Sequence, residues 1–452
     1  MTPADVDAAT PAEIRALIDS LRTNGHAGYL VGGSLRDLLL GREPHDWDLT
    51  TDARPERVQE LFPGAVYENR FGTVVVRDAA ERQVEITTFR SDHDYADHRR
   101  PAGVTFGDRV EDDLARRDFT INALAWGGRP GEKPRIVDPF GGRQDVAGEV
   151  IRSVGDARDR FREDALRMLR AVRLATTLGF TIEPATLAAI RAEAPLAAHL
   201  SGERVYAEIS KLLDTQRPSL GLRLLADTGL LAVIVPELAE QAGIGQNKFP
   251  GEDLWDHTVR SVDAAAAAER SGVVRLATLL HDVGKPETAA DGHFYRHEVA
   301  GADRADTILR RWHVPRETIE RVERLIRYHM FSYDSGWSDA AIRRFLAKVG
   351  PATVDDLLSL READNEGSGV PSKAGRLNEL RSRIAAELEA KVALDRSGLA
   401  IDGHDLIAEL GIEPGPPIGE VLDELVERVM SEPRLNERDR LLALARELTE
   451  AR

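Results

Sequence analysis

The chain has no cysteine among its 452 residues, which excludes disulfides and thiolate metal sites. Aromatic residues make up only 5% of it. No apolar run reaches the length of a membrane span, and the N-terminus lacks the basic-then-apolar layout of a secretion signal. A cytoplasmic protein with no membrane partner is the expectation. Positive charge is also short: 60 Lys and Arg stand against 77 Asp and Glu, a net of −17. A general nucleic-acid coat is therefore disfavoured, and any RNA partner must meet a local basic surface. Hydrophobic residues at 42% still supply an ample core, and the length points to two to four domains.

What is present is concentrated early. Residues 29–41 read Tyr-Leu-Val-Gly-Gly-Ser-Leu-Arg-Asp-Leu-Leu-Leu-Gly, and Asp46-Trp47-Asp48 follows. This is a short strand, a glycine turn and a helix over 35–40. Backbone N–H groups at Gly33 and Ser34 can face a phosphate there, and Arg36 adds a forked donor. Alternation along a strand puts Asp46 and Asp48 on one face. Adjacent acids repel unless cations sit between them, and an oxygen-only pair suits Mg²⁺ carrying a phosphorylated substrate. Glu85, on the alternating stretch 83–88, is the candidate third carboxylate. Arg116, Arg117 and Asp118 form a run suited to triphosphate and ribose.

Periodicity places Asp164 and Arg167 at i, i+3 on one helix, so that they project together. A carboxylate beside a guanidinium complements the amino donor and ring-nitrogen acceptor shared by cytosine and adenine. Uracil and guanine would turn a carbonyl oxygen toward the carboxylate. Arg170 and Arg173 continue the same face toward the triphosphate, as further nucleotide-binding candidates. The stretch 152–173 holds seven arginines against four acids, the clearest basic surface in the chain.

Elsewhere, Thr10-Pro11 with Glu13 reads as a capped start to a helix over 12–23. Strands are expected at 73–77 and 83–88 with a turn between, at 119–126 and at 135–137. The polar stretch 91–113 reads as a mobile loop. From about residue 143 the pattern is helix after helix, with joints at 250–251, 367–371 and 411–419.

Gly-Gly-x-x-Arg-Asp-x-Leu-Leu-Gly with its downstream Asp-x-Asp is followed by Arg-Arg-Asp-Phe-Thr-Ile-Asn-Ala at 116–123. Asp-Pro-Phe-Gly-Gly at 138–142 and Glu-Asp-Ala-Leu-Arg-Met-Leu-Arg-Ala-Val-Arg at 163–173 complete the series. Together they resemble class II CCA-adding enzymes and bacterial poly(A) polymerases. The resemblance implies an α+β protein: a small mixed α/β nucleotidyltransferase head of the polymerase-β type, then helices only. It implies Asp46, Asp48 and Glu85 as catalytic residues, Mg²⁺ in the head, base selection by Asp164 and Arg167, and tRNA, CTP and ATP as partners. The stretch at 68–76 and the segment 92–101 are similar to the CCA-adding type. They favour full CCA addition over poly(A) synthesis and over CC addition alone.

A second series, His257, His281-Asp282 and Asp364, resembles the metal site of the HD superfamily. Imidazole and carboxylate ligands suit a divalent transition metal, with Mg²⁺ also able to bind. His297 and His329 would widen the site, while His293 reads as structural. This implies a second, metal-dependent phosphohydrolase activity. The implied division is a head at 1–143, a neck at 144–249, an HD domain at 250–370 and a tail at 371–452. The rival readings are a poly(A) polymerase, and an HD phosphohydrolase whose head only binds RNA.

Overall fold

The computed structural model describes residues 2–69, 72–95, 101–245, 251–369 and 374–450. It divides into two compact units, Met1–Ala239 and Glu240–Arg452. The whole is α+β, with one substantial sheet at the N-terminal end and helices thereafter. No helix among the described residues is long and apolar enough to cross a membrane.

The first unit is built on a seven-stranded sheet. Its strands are β1 (Gly28–Val31), β2 (Trp47–Thr51), β3 (Val66–Asn69), β4 (Thr73–Arg77), β5 (Gln83–Thr88), β8 (Ala125–Gly128) and β9 (Arg135–Val137). Their order is β3-β4-β5-β2-β1-β8-β9. Only β2 and β5 run parallel. Their crossover is long enough to need the Pro55–Leu61 helix and the β3–β4 pair. In β5, Val84, Ile86 and Thr88 are buried while Gln83 and Glu85 are exposed, so the period-2 pattern turns Glu85 outward. One face of the sheet packs a core of Tyr29, Val31, Phe89, Leu114, Ala125 and Val137.

Several sequence expectations are corrected. The stretch expected as a mobile loop holds two antiparallel strands, β6 (Arg90–Tyr95) and β7 (Pro101–Phe106), and the Val110–Ala115 helix. Residues 96–100 of it lie outside the described residues. Its polarity hid the strands because backbone pairing supplies a ribbon with hydrogen bonds whatever its side chains are. The strand expected over 119–126 begins only at Ala125, after a 3₁₀ turn at Thr120–Asn122. The helix after the glycine turn starts at Gly32 itself and runs to Leu39. The Ala12–Thr23 helix has the expected extent, but Pro11 caps it without a side-chain bond, and Glu13 instead pairs with Arg82.

After residue 143 the first unit is almost wholly helical, as expected. Asp164 and Arg167, expected on one helix, are parted by a break between two, Ala157–Glu163 and Leu166–Leu178. Asp164 stands in the break with extended backbone.

The second unit is helical apart from a hairpin of two-residue strands, Ala289–Ala290 and His293–Phe294. The Gly272–Leu280 helix buries Val274, Leu276, Leu279 and Leu280 and ends at His281. Its neighbours are Leu254–Ala267, Arg316–Tyr328 and Val354–Gly367. Three C-terminal helices close around Leu406, Val421, Leu425, Val429 and Leu441, with Gly411 as a left-handed cap.

Gly284 controls how the His281-Asp282 turn meets the His297–Arg311 helix. A Cβ there would strike the His297 carbonyl and the Gly301 amide. Gly284→Ala is expected to lower stability by about 1–3 kcal/mol, because the obstacle is backbone and cannot turn aside. Thermal melting of the purified variant checks this.

Candidate active sites in the two units

In the head, β1 delivers the chain to Gly32, whose φ of +71° suits glycine. A side chain at this position would also meet Arg117 Nη1 at 2.8 Å and Asp48 Oδ2 at 3.4 Å. Glycine thus lets a guanidinium and a carboxylate close over the helix start. Ser34 is buried, and its hydroxyl donates to the Val31 carbonyl at 2.8 Å. Its side chain is used locally, leaving the backbone N–H groups for an anion. Arg36 Nη1 donates to Asn122 Oδ1 at 2.7 Å, and its other nitrogens hold Asp37.

Asp46 lies one residue before β2 and is exposed; Asp48 lies within the strand, half-buried. Asp48 sits directly opposite Glu85 in the parallel register. The structure thereby brings Glu85 beside Asp48. Burial pushes the Asp48 carboxyl up; Arg117 opposes this, Asp46 adds to it, and Arg36 opposes it more weakly. This oxygen-only donor set, with its acids repelling one another, fits a hard divalent cation.

Sequence reasoning missed Asp113. It is fully buried, and its Oδ1 accepts from Arg116 Nε and Nη2 at 2.9 and 2.6 Å, while Oδ2 accepts from Arg117 Nη2 at 3.3 Å. Burial alone would raise its carboxyl, but the two guanidiniums outweigh that and hold it below the usual range. One acid thus sets the direction of both arginines. The available signal was its spacing, three and four residues before Arg116 and Arg117, which follow the end of the Val110–Ala115 helix.

Asp118 accepts from the Phe119 amide, from Asn122 Nδ2 and from Arg170 Nε at 2.8 Å. Burial would raise this carboxyl, yet the adjoining Arg170, with help from Asn122, carries it down to about 2. Asp164 and Arg167 do not bond through their side chains. Asp164 Oδ1 accepts from the Leu166 amide at 3.0 Å and Oδ2 from Arg204 Nη2 at 2.6 Å. Arg167 is held by Glu163 Oε2 at 2.5 Å and by the carbonyls of Arg160 and Arg116. Arg173 pairs with Glu208 at 2.6 Å. The intrahelical ion pair that could have explained Asp164 and Arg167 is therefore not made.

In the second unit, His257, His281, Asp282, His297, His329 and Asp364 come together and are all buried. His257 Nε2 and His281 Nε2 are 3.2 Å apart. Both face Asp282 Oδ2, at 3.4 and 3.2 Å, and His257 Nε2 lies 3.2 Å from Asp364 Oδ1. His297 and His329 face the other oxygen, Oδ1, at 3.4 and 3.8 Å. Three rings share one restraint: Nδ1 of His281, His297 and His329 lies 2.7, 2.8 and 2.7 Å from the carbonyl three residues earlier. A proton on that Nδ1 leaves Nε2 as the ligand side.

Nε2 of His297 and of His329 is buried without a hydrogen-bond partner, as expected of atoms shaped for a cation. Potential ligand groups form two sets sharing Asp282: His257 with His281, and His297 with His329. Burial would push the His281 imidazole down, but Asp282 and Asp364 outweigh it and carry it up to about 9. Burial and repulsion from His281 drive His329 down to about 3. A cavity of about 350 Å³ opens onto the cluster, lined also by Lys285, Phe294 and Arg361. Lys285 donates to Asp282 at 2.6 Å and Arg361 to Asp364 at 2.8 Å. His293, expected as structural, is exposed on the wall of this cavity.

A mixed sheet that sets acids beside a glycine-opened helix is the build of a nucleotidyltransferase. Residues 28–152 match the poly A polymerase head domain, 179–241 the probable RNA and SrmB-binding site of polymerase A, and 298–445 the putative tRNA nucleotidyltransferase domain 2. The chain belongs to the CCA-adding enzyme family. It is 36% identical over 432 residues to the CCA-adding enzyme of Geobacillus stearothermophilus, covering 95% of each chain. It is also 35% identical to an A-adding tRNA nucleotidyltransferase of Deinococcus radiodurans, over 88% of this chain and 90% of that one. The crystal structure of the Bacillus stearothermophilus CCA-adding enzyme in complex with CTP superimposes with a TM-score of 0.74 at 32% identity, covering 97% of each chain.

The Asp118–Arg170 pair makes stability depend on pH. The folded carboxyl titrates at about 2, below its ordinary 3.8. The contribution is therefore complete above about pH 4 and lost as pH falls toward 2. Asp118→Asn is expected to cost about 1–2 kcal/mol at pH 7, allowing for the part-exposed guanidinium, and almost nothing at pH 2. Urea unfolding of both proteins across that range checks it.

Proposed function

We propose that the chain adds and repairs the 3′-terminal CCA of tRNA, using CTP and ATP without a nucleic-acid template. The observation that carries this is the register of Asp48 with Glu85 behind the Gly32 turn, in a chain similar over nearly its whole length to CCA-adding enzymes. Backbone N–H groups at Gly33 and Ser34, with Arg36, Arg116 and Arg117, bind the triphosphate. Asp46 and Asp48 hold Mg²⁺, which when bound neutralises phosphoryl charge and lowers the cost of deprotonating a hydroxyl. Glu85 orients the tRNA 3′-hydroxyl. Asp164 and Arg167 read the base edge, and Arg170 and Asp118 fix the helix that carries Arg167. A-only addition is the second reading, favoured by the likeness to the A-adding relative.

The same proposal assigns the second unit an HD-type phosphohydrolase site. His257, His281, Asp282 and Asp364 hold a divalent transition metal or Mg²⁺, with His297 and His329 able to complete a second position. When bound, such an ion supplies a Lewis acid for a phosphoryl oxygen. Lys285 and Arg361 place cations where a phosphate would enter the cavity. The substrate class is a phosphate or cyclic phosphate at an RNA end. Domain limits of 1–143, 144–249, 250–370 and 371–452 accompany this reading, and the protein acts in the cytoplasm.

The deciding experiment incubates the protein with labelled CTP or ATP, Mg²⁺ and tRNA lacking its CCA or only its final A. Ordered C, C, A addition that stops supports the first reading. Addition of A only to the CC-ended tRNA supports the second, and long A tails refute both. Asp48→Ala should lower incorporation of both nucleotides at least about a thousandfold, as expected for loss of a metal ligand at the reacting phosphate. Incorporation near the wild-type rate would refute that ligand assignment.

Asp282→Asn should abolish metal-dependent hydrolysis of p-nitrophenyl phosphate and reduce the metal retained per chain, while tRNA extension stays within about threefold. Metal analysis with a melting control checks this. Full retention of metal and hydrolysis by a folded variant would refute the HD assignment.

A further inference from the structure

A groove of about 500 Å³ lies in the second unit, between the end of the Arg316–Tyr328 helix and the Asp339–Val349 helix. Tyr328, Phe331, Trp337 and Phe345 line it, in a chain with few aromatic residues. The rings meet at angles and not as parallel stacks. Phe331 and Phe345 are 5.1 Å apart at 49°, and Trp337 and Phe345 5.7 Å apart at 65°. Such contacts fix the rings and leave ring faces uncovered. Arg327, Arg344 and Lys348 also line the groove, with Glu298 as its acid. Arg327 is held by Glu323 and Asp303, and Arg344 by Glu427. Lys348 Nζ instead lies 5.3 Å from the centre of the Tyr328 ring. Among the described residues Lys348 makes no ion pair. The groove adjoins the metal-ligand cluster. Met330, 50% exposed, lines both the groove and the cavity over the cluster. Arg361 Nη1 lies 3.9 Å from Met330 Sδ and donates to Asp364. Glu298 stands in the groove, and its neighbour in sequence, His297, stands in the cluster.

We propose that this groove is a base-binding subsite of the phosphohydrolase centre. It takes the unpaired bases at the end of a single-stranded RNA whose terminal phosphate enters the adjoining cavity. This rests on the assignment of the HD-type site. Lys285 and Arg361 give the cavity cations for a phosphate, but a phosphate alone does not distinguish an RNA end from any other ester. Aromatic faces supply that distinction, because every base has a face that stacks, whatever the sequence. Bases inside a duplex have both faces covered, so the groove selects unpaired ends. The net charge of −17 repels RNA in general, and binding needs local positive ground. Lys348 provides it at the groove, as a cation free of any carboxylate and available to a backbone phosphate. Met330, unbranched and polarizable, suits the place where the strand passes from groove to cavity.

The test compares wild type, Trp337→Ala and Lys348→Ala as full-length, metal-loaded proteins. The substrates are a single-stranded oligoribonucleotide ending in a 3′-phosphate or a 2′,3′-cyclic phosphate, a blunt duplex with the same ends, and p-nitrophenyl phosphate. Wild type should show a KM for the single-stranded end at least about tenfold below that for the blunt end. Trp337→Ala should raise the single-strand KM about ten- to a hundredfold, the range of one lost base stack, with kcat within about threefold. Lys348→Ala should raise it about three- to tenfold and flatten its dependence on salt. Hydrolysis of p-nitrophenyl phosphate, which has no base to place, should stay within about twofold in both. Folded variants that leave the RNA KM unchanged, or that lose both substrates equally, overturn the proposal. It is also overturned if they raise the KM for tRNA in CTP addition and leave RNA-end hydrolysis intact, because the groove would then hold tRNA for the head. If wild type hydrolyses p-nitrophenyl phosphate but neither RNA end, the subsite fails and the HD reading stands. If wild type hydrolyses none of the three and retains no metal, the HD reading itself fails. Should Trp337→Ala not fold, Lys348→Glu takes its place, with a larger rise in the RNA KM expected than for Lys348→Ala.

Discussion

A buried charge must be met by another, and in the first unit this requirement fixes where the charged groups of the candidate site point. Taking an ion out of water costs several kcal/mol unless a partner and hydrogen bonds replace the solvent. Asp113 meets Arg116 and Arg117, Asp118 meets Arg170, Glu163 meets Arg167, and Arg204 meets Asp164. Each pairing removes rotamer freedom from a long side chain before any substrate arrives, so less ordering entropy remains to be lost on binding.

The second unit meets the same requirement differently. Its acids, Asp282 and Asp364, are surrounded by four imidazoles, Lys285 and Arg361. Three of the rings, His281, His297 and His329, are restrained through carbonyls on their own chain, each three residues back. That local device leaves Nε2 of each ring free to turn inward, and two of those nitrogens end buried without a hydrogen-bond partner. The head offers oxygen donors from adjacent strands, whereas this cluster offers nitrogen and oxygen from helix ends. The two donor sets favour different ions for that reason.

Much of this was legible from the order of residues. Gly32 and Gly33, the Asp46–Asp48 spacing and the alternation around Glu85 are local signals, and local backbone geometry acts on them directly. The same holds for His281-Asp282 at the end of an apolar helix. The errors arose where local polarity or periodicity was not decisive. The 91–113 stretch looked like a loop because its strands are polar, and Asp164 looked to share a helix with Arg167 because their i, i+3 spacing does not record the break at Asp164.

By itself, then, the sequence determined the glycine turn, the strand carrying Asp48, the mostly helical character after the head and the identity of the candidate ligands. These depend on neighbours within a few residues. Tertiary structure alone decided that Glu85 lies beside Asp48, since that depends on two strands 37 residues apart pairing in parallel register. It alone joined Arg204 to Asp164 across 40 residues and Glu208 to Arg173 across 35. It also gathered His257, Asp282, His329 and Asp364 around one centre. Such contacts form only when helices and strands pack, because a charge or a ligand atom at long separation has no local preference that records its partner.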